Sequence, residues 1–404
     1  MRALAWTRAC AWGLVPMALV ACGLAASPGD YAGEPVVTAT DGGATDGTTP
    51  DGVAPGIDAA GGVARFVLLS GERDPSGPAD NPATTNDVWT AFVDDATGAV
   101  VSYRVELSAL VRGSMEFDAV IGNTWVIGGY GYGVEGTSKS ALQFVGWGPG
   151  AKTDWLVTTL GVPSNRSDLS RTLVGSTVVT VGGIRSYTPD GGGTAYQYMP
   201  DLYSAPVDVA QRSVADFTQM PSSLVKGRSR AGLYVHDNKF IYVVGGKSSS
   251  STLLADVEAA PVDAVAGTVG TFAAQPGLSA PPTAPEYKIF DPSVTSAKGY
   301  LYVAGGRLNT SNSPSDIVLA AKINDADGSL GDWKIVTKLP APTRDFGFAV
   351  YKDRLYVFGG VGATQRSDEV LTAAVLADGE LGPWESAPNA KLPAPRADIR
   401  VAAY

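Results

Sequence analysis

Residues 355–360, LYVFGG, form a short apolar run closed by a glycine pair, and versions of this run recur along the chain. Residues 124–129 read TWVIGG, 178–183 VVTVGG, 241–246 IYVVGG and 301–306 LYVAGG, and a worn version, FVLLSG, occupies 66–71. The copies close on Gly71, Gly129, Gly183, Gly246, Gly306 and Gly360, in steps of 58, 54, 63, 60 and 54 residues. A period of this size marks a propeller or a solenoid, in which each copy is one supersecondary unit that buries its apolar faces only by stacking on its neighbours.

Each copy reads as four strands. In the sixth, residues 346–351 are apolar, Lys352-Asp353 supplies a turn, and 355–358 follow with no polar alternation, as expected of a strand covered on both faces. A polar loop leads to a third strand at 369–376, the turn Ala377-Asp378-Gly379 and a fourth strand around Trp384. The glycine pair suits a place where the chain turns with φ > 0 or passes close to another backbone. Third strands match at 87–93, 141–146, 202–207, 256–262, 316–323 and 369–376, and an aromatic marks every fourth strand: Tyr103, Trp155, Phe217, Phe272, Trp333 and Trp384.

With these features the chain resembles the kelch-type β-propellers, whose blades of four antiparallel strands surround a central axis. The likeness covers residues 63–404 and departs from the family in its longer period and in Ser70, which replaces the first glycine of the first copy. The first copy begins at its second strand, 65–69, whereas the chain ends in RADIRVAAY (396–404), which matches 344–351 at the start of the sixth copy. The expected fold is therefore all-β, a six-bladed kelch-like propeller closed by the C-terminal strand pairing into the first blade. Closure of this kind protects inner strands from edge-to-edge association.

The 404 residues are 45% hydrophobic and 17% charged, with 49 glycines and 27 prolines, as suits a globular chain of many short strands and turns. A formal charge of −10 argues against a nucleic-acid partner. Residues 1–21 read as a signal peptide: Arg2 and Arg8 precede a short apolar stretch, 9–19, too short to span a bilayer. Leu19-Val20-Ala21-Cys22 resembles the lipobox of bacterial lipoproteins, which implies lipidation of Cys22 and a membrane anchor through it. Cys10 is the only other cysteine, so the mature chain is expected to hold no disulfide. Gly23 follows the cysteine where some bacteria place an inner-membrane retention aspartate, and this leans towards the outer membrane. Residues 22–62 are rich in Gly, Asp, Thr and Pro and poor in large apolar side chains, so they are expected to be a disordered tether spanning about 35 Å.

Chemistry is sought on the face shared by the post-glycine loops and the loops leading into each first strand. Arg73, Arg185, Lys247, Arg307 and Arg366 follow the glycine pairs, joined by Tyr130 and by Tyr187 in the long segment 184–200. A ring of guanidiniums suits carboxylate, sulfate or phosphate groups, and tyrosine beside glycine suits sugars or protein surfaces. The segment 184–200, with its glycine run, reads as a flexible surface loop. Arg112, Arg166, Arg230, Arg344 and Arg396 lead into the first strands and are expected to brace the structure, with Asp118, Asp168, Asp291, Asp345 and Asp398 in register beside them.

His236, the single histidine, is expected in an exposed turn. It leaves no basis for a histidine-rich metal site, and galactose-oxidase-like copper chemistry, which the kelch resemblance raises, lacks its ligands. No cofactor and no metal are expected. The chain reads as a non-enzymatic, monomeric binding or scaffolding module for an envelope protein or polysaccharide. The alternative is a carbohydrate-active enzyme resembling the kelch-type sialic-acid mutarotases, with Glu72 and Glu135 as the glutamates to test; a purely structural envelope protein is the third reading. A deep axial pocket holding a carboxyl group of raised pKa would favour the enzyme.

Overall fold

In the sixth copy, Gly347–Tyr351, Arg354–Phe358, Val370–Ala374 and Glu385–Ser386 pair in that order as an antiparallel sheet. Its first turn, Lys352-Asp353, has φ of 43° and 57°, the doubly positive geometry whose twist matches two-residue hairpins. The computed structural model describes residues 63–69, 88–105, 116–122, 125–132, 139–146, 156–158, 166–189, 192–208, 211, 213–280, 286–386 and 390–403, all within the unit Asp51–Tyr404. The signal peptide, Cys22, the tether, Glu72, Arg73, Arg112, Glu135 and Trp155 lie outside the described residues.

Among the described residues the architecture is all-β, with several four-stranded antiparallel sheets and no helix. The fifth copy repeats the sixth: Ser293–Ala297, Tyr300–Ala304, Val318–Lys322 and Lys334–Ile335. In the third and fourth copies the long third strands, Asp201–Asp208 and Val257–Asp263, each pair with two short outer pieces. The second copy contributes Glu116–Gly122, Trp125–Tyr132, Lys139–Gly146 and Leu156–Thr158. In the first copy Val63–Leu69 pairs with Val88–Val93 on one edge and with Arg400–Ala403 on the other, in the register Phe66↔Ala403 to Leu69↔Arg400.

The first strands lie side by side. Glu116–Gly122 neighbours Ser170–Val174, which neighbours Gly232–His236, then Ser293–Ala297, Gly347–Tyr351 and Arg400–Ala403, and this last strand also lies beside Glu116–Gly122. Gly347 is required at one such contact, since a Cβ there would stand 2.2 Å from Val401 Cγ2.

The core is divided into layers, four of which, among the described residues, are shared by consecutive copies. Tyr242, Val244, Leu301 and Val303 pack between the fourth and fifth copies, Tyr302, Leu355 and Val357 between the fifth and sixth. Phe66, Leu68 and Trp89 of the first copy pack on Tyr356 and Phe358 of the sixth, with the Phe66 ring 4.8 Å from that of Tyr356. The second strands explain the missing alternation: Phe240–Val244 and Thr177–Val181 are buried at every position.

Two recurring bonds tie neighbouring sheets in the later copies. The tyrosine of the signature, fully buried, donates to a glycine carbonyl in the next copy: Tyr242 to Gly328 at 2.8 Å, Tyr302 to Gly379 at 3.0 Å and Tyr356 to Gly98 at 2.6 Å. The second glycine of the pair, at φ 83–100° in the third to sixth copies, brings its amide to a carbonyl leading into the following copy in three of them: Gly183 to Arg228 at 2.9 Å, Gly246 to Ile289 at 2.8 Å and Gly360 to Arg396 at 2.7 Å. An L side chain at Gly360 would be strained and would meet Arg344 O at 2.9 Å.

Two expectations are corrected. His236 ends the strand Gly232–His236 and is buried, not exposed in a turn, because its ring turns towards the neighbouring copy and Nδ1 lies 2.9 Å from Ser296 Oγ. Segment 184–200 is a hairpin rather than a loop: Ile184–Tyr187 pairs with Ala195–Tyr198 and with Arg166–Ser167 in a separate three-stranded sheet. Gly192 and Gly193, at φ 79° and 84°, let the chain reverse.

Candidate binding site

Two residues before five of the described first strands stands one residue in the left-handed region: Asp168, Arg230, Asp291, Asp345 and Asp398, with φ between 51° and 58°. Aspartate tolerates this region better than most residues. The backbone of this position also joins the copies: Arg230 N–H donates to Asp168 O at 3.0 Å, Asp291 N–H to Arg230 O at 2.9 Å and Asp398 N–H to Asp345 O at 2.7 Å. These residues are therefore held where the copies meet, and their side chains line one cavity of about 410 Å³. That volume is within the range of small-ligand sites, roughly 300–1,000 Å³.

The cavity wall alternates in charge. Arg230 Nε donates to Asp168 Oδ1 at 3.1 Å, and its Nη1 lies 3.4 Å from Asp291 Oδ2. Arg307 Nε lies 3.3 Å from the same Asp291 oxygen, while its Nη2 donates to Asp345 Oδ2 at 2.8 Å. Arg344 also contacts Asp345, whose side chain is 3% exposed. Arg171, Arg400 and Asp398 complete the charged lining, and Phe346, Phe348, Leu233 and Val294 supply apolar wall. Among the described residues no group of His, Cys, Asp or Glu is placed to hold a metal ion.

Burial raises the Asp291 carboxyl above the usual carboxylate range, against the pull of Arg230 and Arg307. Its Oδ2 is shielded from solvent and has both guanidiniums near it without meeting hydrogen-bond geometry. Burial also opposes the charge on Arg307, but Asp345 and Asp291 outweigh it and raise that pKa.

Of the expected site residues that are described, Arg307 alone lines this cavity. Lys247 packs behind the wall, its Nζ 5.1 Å from the centre of the Phe290 ring. Arg185 and Tyr187 stand on the separate hairpin, where Arg185 donates to Gln197 Oε1 at 2.7 Å and Tyr187 is 48% exposed. Arg366 is bridged to Val361. Tyr130 lies in the strand Trp125–Tyr132, which runs on through the glycine pair instead of ending there.

The lead-in arginines divide by register. Arg166, Arg228 and Arg396 stand two residues before the left-handed position and are buried. Arg166 reaches Asp201 at 2.6 Å, Arg228 pairs with Glu258, and Arg396 lies 4.9 Å over the Trp89 ring. They brace the third strands, as expected for Arg166 and Arg396. Arg230 instead occupies the aspartates' own position and faces the cavity, and Arg344 is offset by one; the aligned brace of the fourth copy is Arg228. Arg171 and Arg400, within the first strands, carry no repeat signal that singles them out.

No protein-family model and no curated protein matches this sequence. Solved structures do share the fold: one, titled "Structure of YjhT", superposes with a TM-score of 0.50 at 15% identity, covering 70% of this chain and 85% of that one.

Proposed function

We propose that the six copies are the blades of a kelch-like β-propeller, closed by the C-terminal strand in the first blade, whose axial cavity binds the end of an envelope polysaccharide. The pairing of Arg400–Ala403 with Val63–Leu69 supports closure, as does the Tyr356-to-Gly98 bond, which repeats between the last and first copies the bond made between earlier neighbours. The carrying observation for binding is the alternating Asp/Arg lining of a 410 Å³ cavity. Ionised carboxylates accept and guanidiniums donate, so together they suit a ligand rich in hydroxyls. Lipidated Cys22 and the tether would hold this module at the outer membrane, a reading that rests on Leu19-Val20-Ala21-Cys22 and Gly23.

The test is retention of the full-length protein on immobilised envelope polysaccharide. Arg307→Ala and the milder Arg400→Gln are expected to weaken retention about tenfold, and the hairpin variant Arg185→Ala/Tyr187→Ala to change it less than about twofold. Loss on the hairpin variant with normal retention by both cavity variants would move the site to the hairpin. A second reading is acid–base chemistry on the bound sugar, in line with the mutarotase-like alternative. Asp291 favours it, being a cavity carboxyl with raised pKa. Turnover of a retained glycan, lost in Asp291→Asn, is its test.

A further inference from the structure

Arginines around a cavity ordinarily suggest an anionic ligand. Here two of the guanidiniums, those of Arg230 and Arg307, are already held between carboxylates. Among the described residues, four aspartates line the cavity, Asp168, Asp291, Asp345 and Asp398, against four arginines, Arg171, Arg230, Arg307 and Arg400. Arg230 sits between Asp168 and Asp291, and Arg307 between Asp291 and Asp345. An incoming carboxylate or sulfate would have to leave water and approach carboxylates as closely as guanidiniums. The desolvation cost of an ion is offset less where carboxylates stand beside the guanidiniums it would approach.

A neutral hydroxyl meets no such cost. A carboxylate bonded to one arginine keeps further lone pairs for hydroxyl protons, and a guanidinium has five N–H donors, so each Asp/Arg pair offers both functions that a sugar hydroxyl needs. The apolar wall at Phe346, Phe348, Leu233 and Val294 suits the C–H face of a sugar ring.

We infer that the cavity selects uncharged sugar residues and discriminates against acidic ones, the internally paired aspartates being the specificity device. This inference rests on the sugar-binding reading of the same cavity.

The experiment titrates the full-length protein with four tetrasaccharides: cellotetraose, tetra-N-acetylchitotetraose, tetragalacturonate and the fully deacetylated chitosan tetramer. Each is measured at about 0.1 and 1 M salt, where the Debye length falls from about 10 to 3 Å. A neutral tetramer is expected to bind about tenfold or more tighter than tetragalacturonate and to change less than about threefold with salt. Asp398→Asn, which removes one cavity charge, is expected to raise the affinity for tetragalacturonate relative to the neutral tetramers at least about threefold. Binding led by either charged tetramer and falling with salt would overturn the inference while leaving sugar binding standing. No effect of Asp398→Asn on that ranking would also overturn it. Absence of binding by all four tetramers would reject the sugar-binding reading itself.

Discussion

Asp291 shows how one position can carry both structure and chemistry. Its carboxyl is raised in the folded protein, so between the ordinary value near 4 and its native value the folded state holds the proton more often than the unfolded state. Stability contributed by that proton is present at low pH and is lost as pH rises through this window. Denaturant titrations from pH 4 to 8 should therefore give a steeper decline for the wild type than for Asp291→Asn, which cannot titrate. Parallel curves would mean that the two arginines neutralise the burial cost completely. Four of the five aspartates read as a set in register, Asp168, Asp291, Asp345 and Asp398, do follow the repeat, whereas Asp118 falls inside the strand Glu116–Gly122. Their role was not legible in the sequence. A brace and a cavity residue differ by two positions in the lead-in, and Arg230 mimics the brace because the true one, Arg228, lies two residues before it.

At the scale of the element, the glycine-pair signature is explained by contacts that it makes outside its own sheet. The tyrosine three places before the glycine pair crosses to the next copy, and the glycines admit the next copy's backbone. Burial pushes the Tyr356 hydroxyl up to about 12, so it remains a neutral donor throughout the physiological range. Tyr356→Phe leaves the buried Gly98 carbonyl without its partner and is expected to cost about 1–3 kcal/mol in equilibrium unfolding. A cost equal to that of a surface Tyr→Phe change would show that this bond does not join the first and sixth copies in solution. Strand positions were readable because apolar runs and turn residues are local signals. Hairpin Ile184–Tyr187/Ala195–Tyr198 was not, since its alternating residues sit in a stretch whose glycines read as loop.

For the whole molecule, the repeat identified the architecture because each copy must bury both faces of its second strand, and only a neighbouring copy can cover them. The site was less accessible to such reasoning. It is assembled from first strands far apart in sequence, and its charge balance depends on which side chains meet across copies. A post-glycine arginine such as Arg307 could be named from the repeat, yet its pairing with Asp291 and Asp345 follows only from packing. A crystal structure of the protein grown with the tightest-binding neutral tetrasaccharide tests the central claim most directly. Density for a terminal sugar within hydrogen-bond reach of Arg307, Asp345 and Asp398 is the result expected. A saccharide lying on the Tyr187 and Tyr196 hairpin, with the cavity holding only water, would contradict it.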